Sequence, residues 1–299
     1  MTPEETLAYE ARVRTRQTVV AATAGVLLIV ASVIQLGGPH TKVNELTLDL
    51  LTANKRFPLD LIAAVLNGIA ALAAAWTLVY LYRAARARNP EKVKPYVKII
   101  AIVAGSLTAA AGIVYAVIVA IKVHEFATTG AQTYDEANRL TSGAGLLALQ
   151  LLGQAGALLV AVAFVLVSLV AMNQGLLSRF MGYLGMFAGA LFLFQITQVP
   201  VVQCYWLLAV AYLISGRWPT GVPPAWRTGE SVPWPSSAEM RARRVAQAGN
   251  RGANGARPGL FGPRPKPAAG PAAEPAPAAT GAEARTRAAT PKRKRKRRG

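Results

Sequence analysis

The chain has 299 residues and a formal net charge of +19, yet only 16% of its residues are charged and 53% are hydrophobic. Residues 1 to 214 carry 15 Lys and Arg against 10 Asp and Glu, whereas residues 215 to 299 carry 18 against 4. The excess charge therefore belongs to the C-terminal segment. This division argues against a basic soluble nucleic-acid-binding domain, which would spread its cations among its helices.

Long apolar segments follow one another in the first 216 residues. A helix needs about 20 apolar residues to cross a bilayer core of about 30 Å. The last segment, Phe180 to Gly216, has 37 uncharged residues and is interrupted by QITQVP, which contains a helix-ending proline. We therefore predict two short helices there and six transmembrane helices in all. The predicted spans are about residues 18–36, 59–81, 98–122, 146–171, 180–196 and 199–215.

A cleavable signal peptide is the alternative for the first apolar segment, because Arg12, Arg14 and Arg16 precede it. The segment is longer than a usual signal-peptide core, and ASVIQLGG is a poor cleavage site. We therefore interpret this segment as a signal anchor.

The distribution of Lys and Arg among the short loops predicts the orientation. The loop from Tyr82 to Lys98 holds six of them, whereas the loops at residues 37–58 and 122–143 hold three and two. Positive residues favour the cytoplasmic side, so the loop from Tyr82 to Lys98 is predicted to be cytoplasmic. With six spans, both termini are then cytoplasmic, including a head at residues 1–17. The sequence predicts a multi-pass protein of the bacterial inner membrane.

The segment at residues 216–248 is predicted to lie next to the membrane. Tryptophans favour the headgroup region, so we interpret those of this segment as an interfacial anchor; the alternative is a segment docked on the protein's own cytoplasmic face. Ser236 and Glu239 have capping-box spacing, which predicts a short basic helix that ends near Ala248. The tryptophans recur every eight residues and are Trp218, Trp226 and Trp234.

Residues 249–299 are rich in Pro, Ala and Gly and contain few large aliphatic side chains, which predicts disorder. The segment ends in seven consecutive cations, for which we expect contact with anionic lipid headgroups. The alternative is contact with a ribosome or another polyanion. No aromatic residue lies among them to stack on bases, so no specific nucleic acid is predicted. The cations are Lys292, Arg293, Lys294, Arg295, Lys296, Arg297 and Arg298.

Seven polar side chains of the predicted spans form the candidate pocket. They fall in the outer half of the membrane or near its midplane, where polar groups are costly and often functional. Gln150 and Gln154 share one helix face, as do Asp60 and Asn67. The alternative is that these groups join helices by hydrogen bonds of about 1 kcal/mol each. The seven residues are Asp60, Asn67, Gln150, Gln154, Gln195, Gln198 and Gln203. The loop residues expected around this pocket are His124, Glu125, Asp135 and Glu136.

Small residues predict close contacts between helices. Gly185 and Gly189 have GxxxG spacing, and Gly112, Ala116 and Ala120 repeat the pattern of small residues four apart. Such patterns allow close backbone approach. They do not tell a contact within the chain from one between subunits.

Motifs typical of enzymes are absent from the sequence. It contains no phosphate-binding GxxxxGK[ST] loop, no GxSxG elbow and no HExxH pair. The single cysteine, Cys204, and two histidines, His40 and His124, are too few for a disulfide or a conventional metal site. Asp60 alone supplies no acid-base pair. No cofactor is predicted, and the sequence favours a protein that is not an enzyme.

Two segments carry a resemblance to a known family, SRFMGYLGMFAGAL at Ser178 to Leu191 and PPAWRTGESVPWPSSAE at Pro223 to Glu239. They resemble segments of uncharacterised actinobacterial multi-pass membrane proteins, related to a bacterial domain-of-unknown-function family with about six helices. In layout the resemblance covers roughly residues 12–244. It implies a helical inner-membrane protein and no particular activity.

Together these features predict an all-α fold: a six-helix transmembrane bundle with a disordered basic C-terminal tail rich in Pro and Ala. The first functional hypothesis is a non-enzymatic scaffold or accessory subunit that binds a partner membrane protein or forms a homo-oligomer. The second is a small-molecule transporter or sensor with an outward-facing polar pocket.

Overall fold

The computed structural model describes most of the first 245 residues. All regular secondary structure of these residues is helical. The chain divides into two compact units, Met1–Met240 and Arg241–Gly299, and the helices discussed below belong to the first. The described residues are 2–37, 45–194, 200–218, 221–232, 239, 241, 242 and 245. Predictions that lie outside the described residues concern His40, Gln195, Gln198, Trp234, Ser236 and the seven cations from Lys292 to Arg298.

The described part of the first unit contains both long and short helices. Their bounds are α1 Pro3–Leu36, α2 Leu46–Arg88, α3 Tyr96–Thr128, α4 Tyr134–Thr141, α5 Ala144–Asn173, α6 Arg179–Phe194, α7 Val201–Ile214 and α8 Pro224–Thr228. Four of them, α1, α2, α3 and α5, are long and apolar enough to cross a membrane. Large apolar side chains such as Ile99, Ile121 and Leu151 are exposed on their surfaces. These features are compatible with a multi-pass membrane protein.

The first helix begins at Pro3 and not near residue 18, because its start is well capped. The Thr2 hydroxyl accepts a hydrogen bond from the Glu5 amide at 3.2 Å, and the Glu5 carboxylate accepts one from the Thr2 amide at 2.9 Å. This is a capping box, and Pro3 occupies the first turn, where its missing N–H is not needed. The predicted N-terminal head is therefore part of α1.

The second helix begins at Leu46 and continues through Pro58, where the sequence predicted a loop up to Pro58. A proline inside a helix lacks the N–H for one backbone hydrogen bond. The Arg56 guanidinium and the Asp60 carboxylate form an ion pair of 3.1 Å that spans this proline. Arg56 also donates to the backbone carbonyl of Gln35 at 2.6 Å and so satisfies a carbonyl in the last turn of α1.

The long helices α2 and α3 pack antiparallel, as two close contacts at glycines show. A Cβ at Gly68 of α2 would lie 2.7 Å from Ile113 of α3, and a Cβ at Gly105, earlier in α3, would meet Ala75, later in α2. A Cβ at Gly156 of α5 would lie 2.8 Å from Thr108 of α3. The bundle therefore has two ends. We call the one where α2 ends the Arg88 end, and the one where α2 begins the Asp60 end.

The long apolar segment from Phe180 to Gly216 is divided into α6 and α7. The GxxxG pair on α6 packs inside the chain: a Cβ at Gly185 would lie 2.6 Å from the Trp206 indole nitrogen, and one at Gly189 would lie 2.8 Å from the Ala161 carbonyl oxygen. The Trp206 indole donates to the Met181 carbonyl at 2.9 Å. The GxxxG pattern thus joins α6 to α5 and α7 of the same chain.

A buried cluster ties the chain together at the Arg88 end. The Arg88 guanidinium donates to both carboxylate oxygens of Glu10, at 2.6 and 2.9 Å, and to the Ala225 carbonyl at 2.9 and 3.2 Å. The guanidinium carbon of Arg88 lies 5.2 Å from the centre of the Trp226 ring. The Trp226 indole donates to the Leu176 carbonyl at 3.0 Å. We call these residues the Arg88 clamp.

The clamp corrects the interpretation of Trp226 as an interfacial anchor. Only 7% of its surface is exposed, and its ring stacks on Tyr80 with 6.0 Å between the ring centres. The alternative, a segment docked on the protein's own surface, describes Trp226 correctly.

Candidate functional site

A cleft of about 370 Å³ lies between α2 and α3 at the Asp60 end. On α2 its lining residues repeat every three or four positions, which is one face of a helix. On α3 the lining face contains Gly112, Ala116 and Ala120. The cleft runs from Ala53 to Gly68 along α2, a rise of about 22 Å. It is therefore long and narrow.

Small side chains explain why the cleft is open. At Gly68 the two helices touch, because a Cβ there would lie 2.7 Å from Ile113. At Gly112 a Cβ would have no neighbouring atom within 4 Å. The predicted pattern of small residues at Gly112, Ala116 and Ala120 therefore leaves space between α2 and α3 and does not bring two helices into contact.

Asp60 lines the cleft about halfway between Ala53 and Gly68. It is paired with Arg56, and its side chain is 42% exposed, whereas that of Arg56 is 12% exposed. Gln35 of α1 also lines the cleft, and its backbone carbonyl accepts a hydrogen bond from Arg56. One positive and one negative charge therefore lie side by side at this point.

Asn67 and Thr108 lie between the cleft and a second cavity. This chamber has a volume of about 170 Å³ and is lined mainly by alanine and aromatic side chains from α1, α2, α3, α5 and α6. Both residues line both cavities. The Thr108 hydroxyl oxygen is buried and has no hydrogen-bond partner among the residues that the structure describes. The Thr108 hydroxyl oxygen lies against Gly156 of α5, so the Asn67 amide is left as the hydrogen-bonding side chain that lines both of these mostly apolar spaces.

Gln150 and Gln154 lie in a different space from Asp60 and Asn67. They line a groove of about 310 Å³ between α3 and α5, and both are exposed. Gly112 and Tyr115 of α3 line this groove as well as the cleft. The structure therefore separates the two predicted pairs into two spaces on either side of α3.

Gln203 lies in neither space. It is buried, and its side-chain amide donates to the Ala188 carbonyl of α6 at 3.1 Å. This is the hydrogen bond between helices that the sequence offered as an alternative. The loop residues expected around the pocket do not line the cleft. His124 and Glu125 are in the last turns of α3, and Asp135 and Glu136 begin α4.

Sequence reasoning missed Thr108 and Tyr115, which line the cleft, and Arg56, which pairs with Asp60 of the cleft. The sequence predicts a loop at Arg56. Thr108 and Tyr115 are seven positions apart, on the same face of α3 as Gly112, and this spacing was the available signal.

The chain was compared with protein-family models, curated proteins and solved structures, and none of them matches. The predicted resemblance to actinobacterial membrane proteins therefore stays a prediction. Within the described residues no group of three His, Cys, Asp or Glu side chains is placed to hold a metal ion. The chemistry offered by the cleft is hydrogen bonding by Asp60, Asn67 and Tyr115 and apolar contact.

Proposed function

We propose that the chain crosses the bacterial inner membrane six times, with both termini in the cytoplasm and the Asp60 end facing out. Six Lys and Arg lie between Tyr82 and Lys98, in the end of α2, the loop that follows and the start of α3, and they support this orientation. In this arrangement α6 and α7 are the fifth and sixth crossings. Their 16 and 14 residues rise about 24 and 21 Å, less than the bilayer core of about 30 Å. Crossing therefore requires a locally thin bilayer or flanking residues that reach its surface.

We further propose that the protein binds a small molecule in the cleft, as a sensor or a transporter does. The observation that carries this proposal is that Asp60 and Asn67 line one cavity of about 370 Å³. This volume lies within the range of about 300 to 1,000 Å³ that ligand pockets occupy. A mostly apolar lining with a few polar groups is also typical of ligand sites.

Thiol labelling in intact cells tests both parts of this proposal. Ala116→Cys places a thiol in the cleft and is expected to react with a small membrane-impermeant reagent added outside. Ala110→Cys, on the exposed face of the same helix, is the matched control and is expected to stay unlabelled in lipid. The native Cys204 is buried and adds little background.

Glu91→Cys reports the orientation, because Glu91 is exposed in the loop between α2 and α3. It is expected to react only after the cells are permeabilised. Reaction of this variant in intact cells would contradict the orientation. An unreactive Ala116→Cys would contradict an outward-facing cleft.

A scaffold or accessory subunit is the second candidate function, and the groove between α3 and α5 favours it. Gln150 is exposed there, and a Cβ at Gly145 or Gly153 of α5 would have no neighbour within 4 Å. In lipid an exposed amide is stabilised by a hydrogen bond to another helix. Replacing Gln150 and Gln154 with Leu is expected to abolish a larger assembly in mild detergent if this function is correct. An assembly of unchanged size would argue against it.

A further inference from the structure

We infer that an anionic phospholipid binds on the outer surface where α1 and α2 meet, close to the Arg88 end. Its phosphate group contacts Arg16 and Arg83, and one acyl chain lies against Trp76. We call this surface the Arg16 patch. It consists of Tyr9, Arg12 and Arg16 of α1 and of Trp76 and Arg83 of α2. The inference goes beyond the cleft, which lies between α2 and α3, and needs only that the chain crosses a membrane.

Two contacts show that α1 and α2 are antiparallel. Early in α1, the Glu10 carboxylate accepts hydrogen bonds from Arg88 at the end of α2. Late in α1, the Gln35 carbonyl accepts a hydrogen bond from Arg56 in the first part of α2. Residues between Glu10 and Gln35 therefore lie beside residues between Arg88 and Arg56, in reverse order.

A contact between Arg16 and Trp76 places two more side chains of the patch. The guanidinium carbon of Arg16 lies 5.5 Å from the centre of the Trp76 ring. Tyr9 is seven residues before Arg16 and therefore shares its face of α1. Arg83 is seven residues after Trp76 and shares its face of α2. Because the helices are antiparallel, both steps lead about 10 Å towards the Arg88 end. Tyr9 and Arg83 therefore lie beside each other, two turns beyond the contact.

The arginines of the patch have no carboxylate partner among the residues that the structure describes. Arg12, Arg16 and Arg83 are exposed, and neither of the two ion pairs found there involves them. The acidic side chains nearby on α1 are bound elsewhere, because Glu10 is held in the Arg88 clamp and Glu5 in the capping box. The patch therefore presents three positive charges to an outside anion.

The patch lies where the apolar parts of both helices end. Arg16 is the last charged residue of α1, and the 20 residues after it up to Leu36 are uncharged. On α2, Arg83 is the first charged residue after the uncharged stretch from Leu61 to Tyr82. In a bilayer this level corresponds to the headgroups, where tryptophans such as Trp76 are favoured. The phosphate groups of lipids lie at the same level.

The side chains of the patch match the chemistry of an anionic phospholipid. Guanidinium groups bind phosphate oxygens through paired, charge-assisted hydrogen bonds, and the Tyr9 hydroxyl is a further donor. The Trp76 ring belongs to a residue 46% exposed and offers apolar surface to an acyl chain. Phosphatidylcholine carries a cation of its own, which the arginines repel. A lipid with net negative charge, such as phosphatidylglycerol, therefore binds more tightly.

Fluorescence quenching of the full-length protein in mixed vesicles of phosphatidylcholine and phosphatidylglycerol tests the inference. Lipids with brominated chains quench the tryptophans that they contact, and the emission of Trp76 is the part lost in Trp76→Phe. Brominated phosphatidylglycerol is expected to quench this part with at least about tenfold higher affinity than brominated phosphatidylcholine, because two arginines each contribute about fivefold. Equal affinities would overturn the inference. Both leaflets contain both lipids, so the result does not depend on the orientation of the chain.

Two variants that each remove one exposed cation test the role of Arg83. Arg83→Gln is expected to lower the preference for phosphatidylglycerol at Trp76 about fivefold. Lys94→Gln, in the loop between α2 and α3, is the matched control and is expected to leave it unchanged. The basic C-terminal segment is present in both variants and does not contribute to their difference. Equal losses would show that general surface charge attracts the lipid, which would overturn the site.

Soluble glycerol 3-phosphate distinguishes a lipid from a free phosphate. It carries the phosphate group without acyl chains and is expected not to relieve the quenching of Trp76, even in excess over the lipid. Relief would show that the patch binds free phosphate and would overturn the assignment to a lipid. Ala116→Phe fills the cleft and is expected to leave the quenching unchanged. The patch and the proposed function of the cleft are therefore tested separately.

Discussion

Removing Glu10 tests the Arg88 clamp. The side chains of Arg88 and Glu10 are 0% and 6% exposed, so solvent does not screen their ion pair. In Glu10→Leu the Arg88 guanidinium keeps its hydrogen bonds to the carbonyls of Ala84 and Ala225 but loses its counter-charge. Removing one partner of a buried ion pair lowers the stability by about 3 to 5 kcal/mol. We expect the lower value here, because the two carbonyls still accept hydrogen bonds from Arg88. About 3 kcal/mol lowers the unfolding midpoint of a domain of this size by about 6 to 12 °C.

Thermal unfolding of the full-length chain in one detergent measures this effect, with loss of the monodisperse peak as the readout. Asp60→Asn is the control, because it removes an ion pair whose carboxylate is 42% exposed. Such pairs contribute less than about 1 kcal/mol. The double variant Glu10→Leu with Arg88→Met removes both charges and is expected to recover most of the loss.

A destabilisation by Glu10→Leu no larger than that by Asp60→Asn would refute the reasoning, because the pair would then behave as a solvated one. A double variant less stable than Glu10→Leu alone would refute it differently. It would show that Arg88 stabilises the protein through Ala225 and Trp226 more than its unpaired charge destabilises it.

Two further pairs of variants, each with its control, test packing. Trp226→Ala is expected to lower the stability by about 3 to 5 kcal/mol and to speed proteolysis between residues 216 and 232. Trp76→Ala, at a side chain 46% exposed, is expected to leave proteolysis unchanged. Equal rates of proteolysis for the two variants would contradict the docking of Trp226. Gly185→Ala is expected to lower the unfolding midpoint, because the new Cβ meets Ser168. Gly153→Ala lies in open space and is expected to raise the midpoint, because helix propensity adds up to about 1 kcal/mol to the free energy of unfolding. A stabilised Gly185→Ala would contradict the close contact.

Much of the fold follows from the lengths of the apolar segments. A segment of about 20 apolar residues can satisfy its backbone in lipid only as a helix or in a closed barrel, and α1, α2, α3 and α5 correspond to four such segments. The polar QITQVP sequence also divided the last segment correctly between α6 and α7. The start of α2 could not be predicted, because Arg56 supports the helix around Pro58 through its contacts with Asp60 and α1.

The candidate site was predictable only where one helix decides the geometry. Asp60 and Asn67 are seven positions apart on α2, so their shared face follows from the helical period. Whether Gln150 of α5 faces the same space depends on how α5 is rotated against α3. That rotation is set by contacts such as Gly156 against Thr108, and the sequence of one helix does not contain it.

The Arg88 end of the bundle is packed more firmly than the Asp60 end. This difference suggests where the proposed ligand of the cleft would enter. At the Arg88 end, Tyr82, Leu177 and Met181 are almost fully buried, and the Arg88 clamp joins α1, α2 and α8 through charged hydrogen bonds. At the Asp60 end, small residues leave α2 and α3 apart at Gly112. Few buried contacts would break if the first turns of α2 moved there, whereas movement at the Arg88 end would expose a buried charge. For the proposed ligand-binding function, we therefore expect entry between α2 and α3 while the Arg88 end holds the helices together.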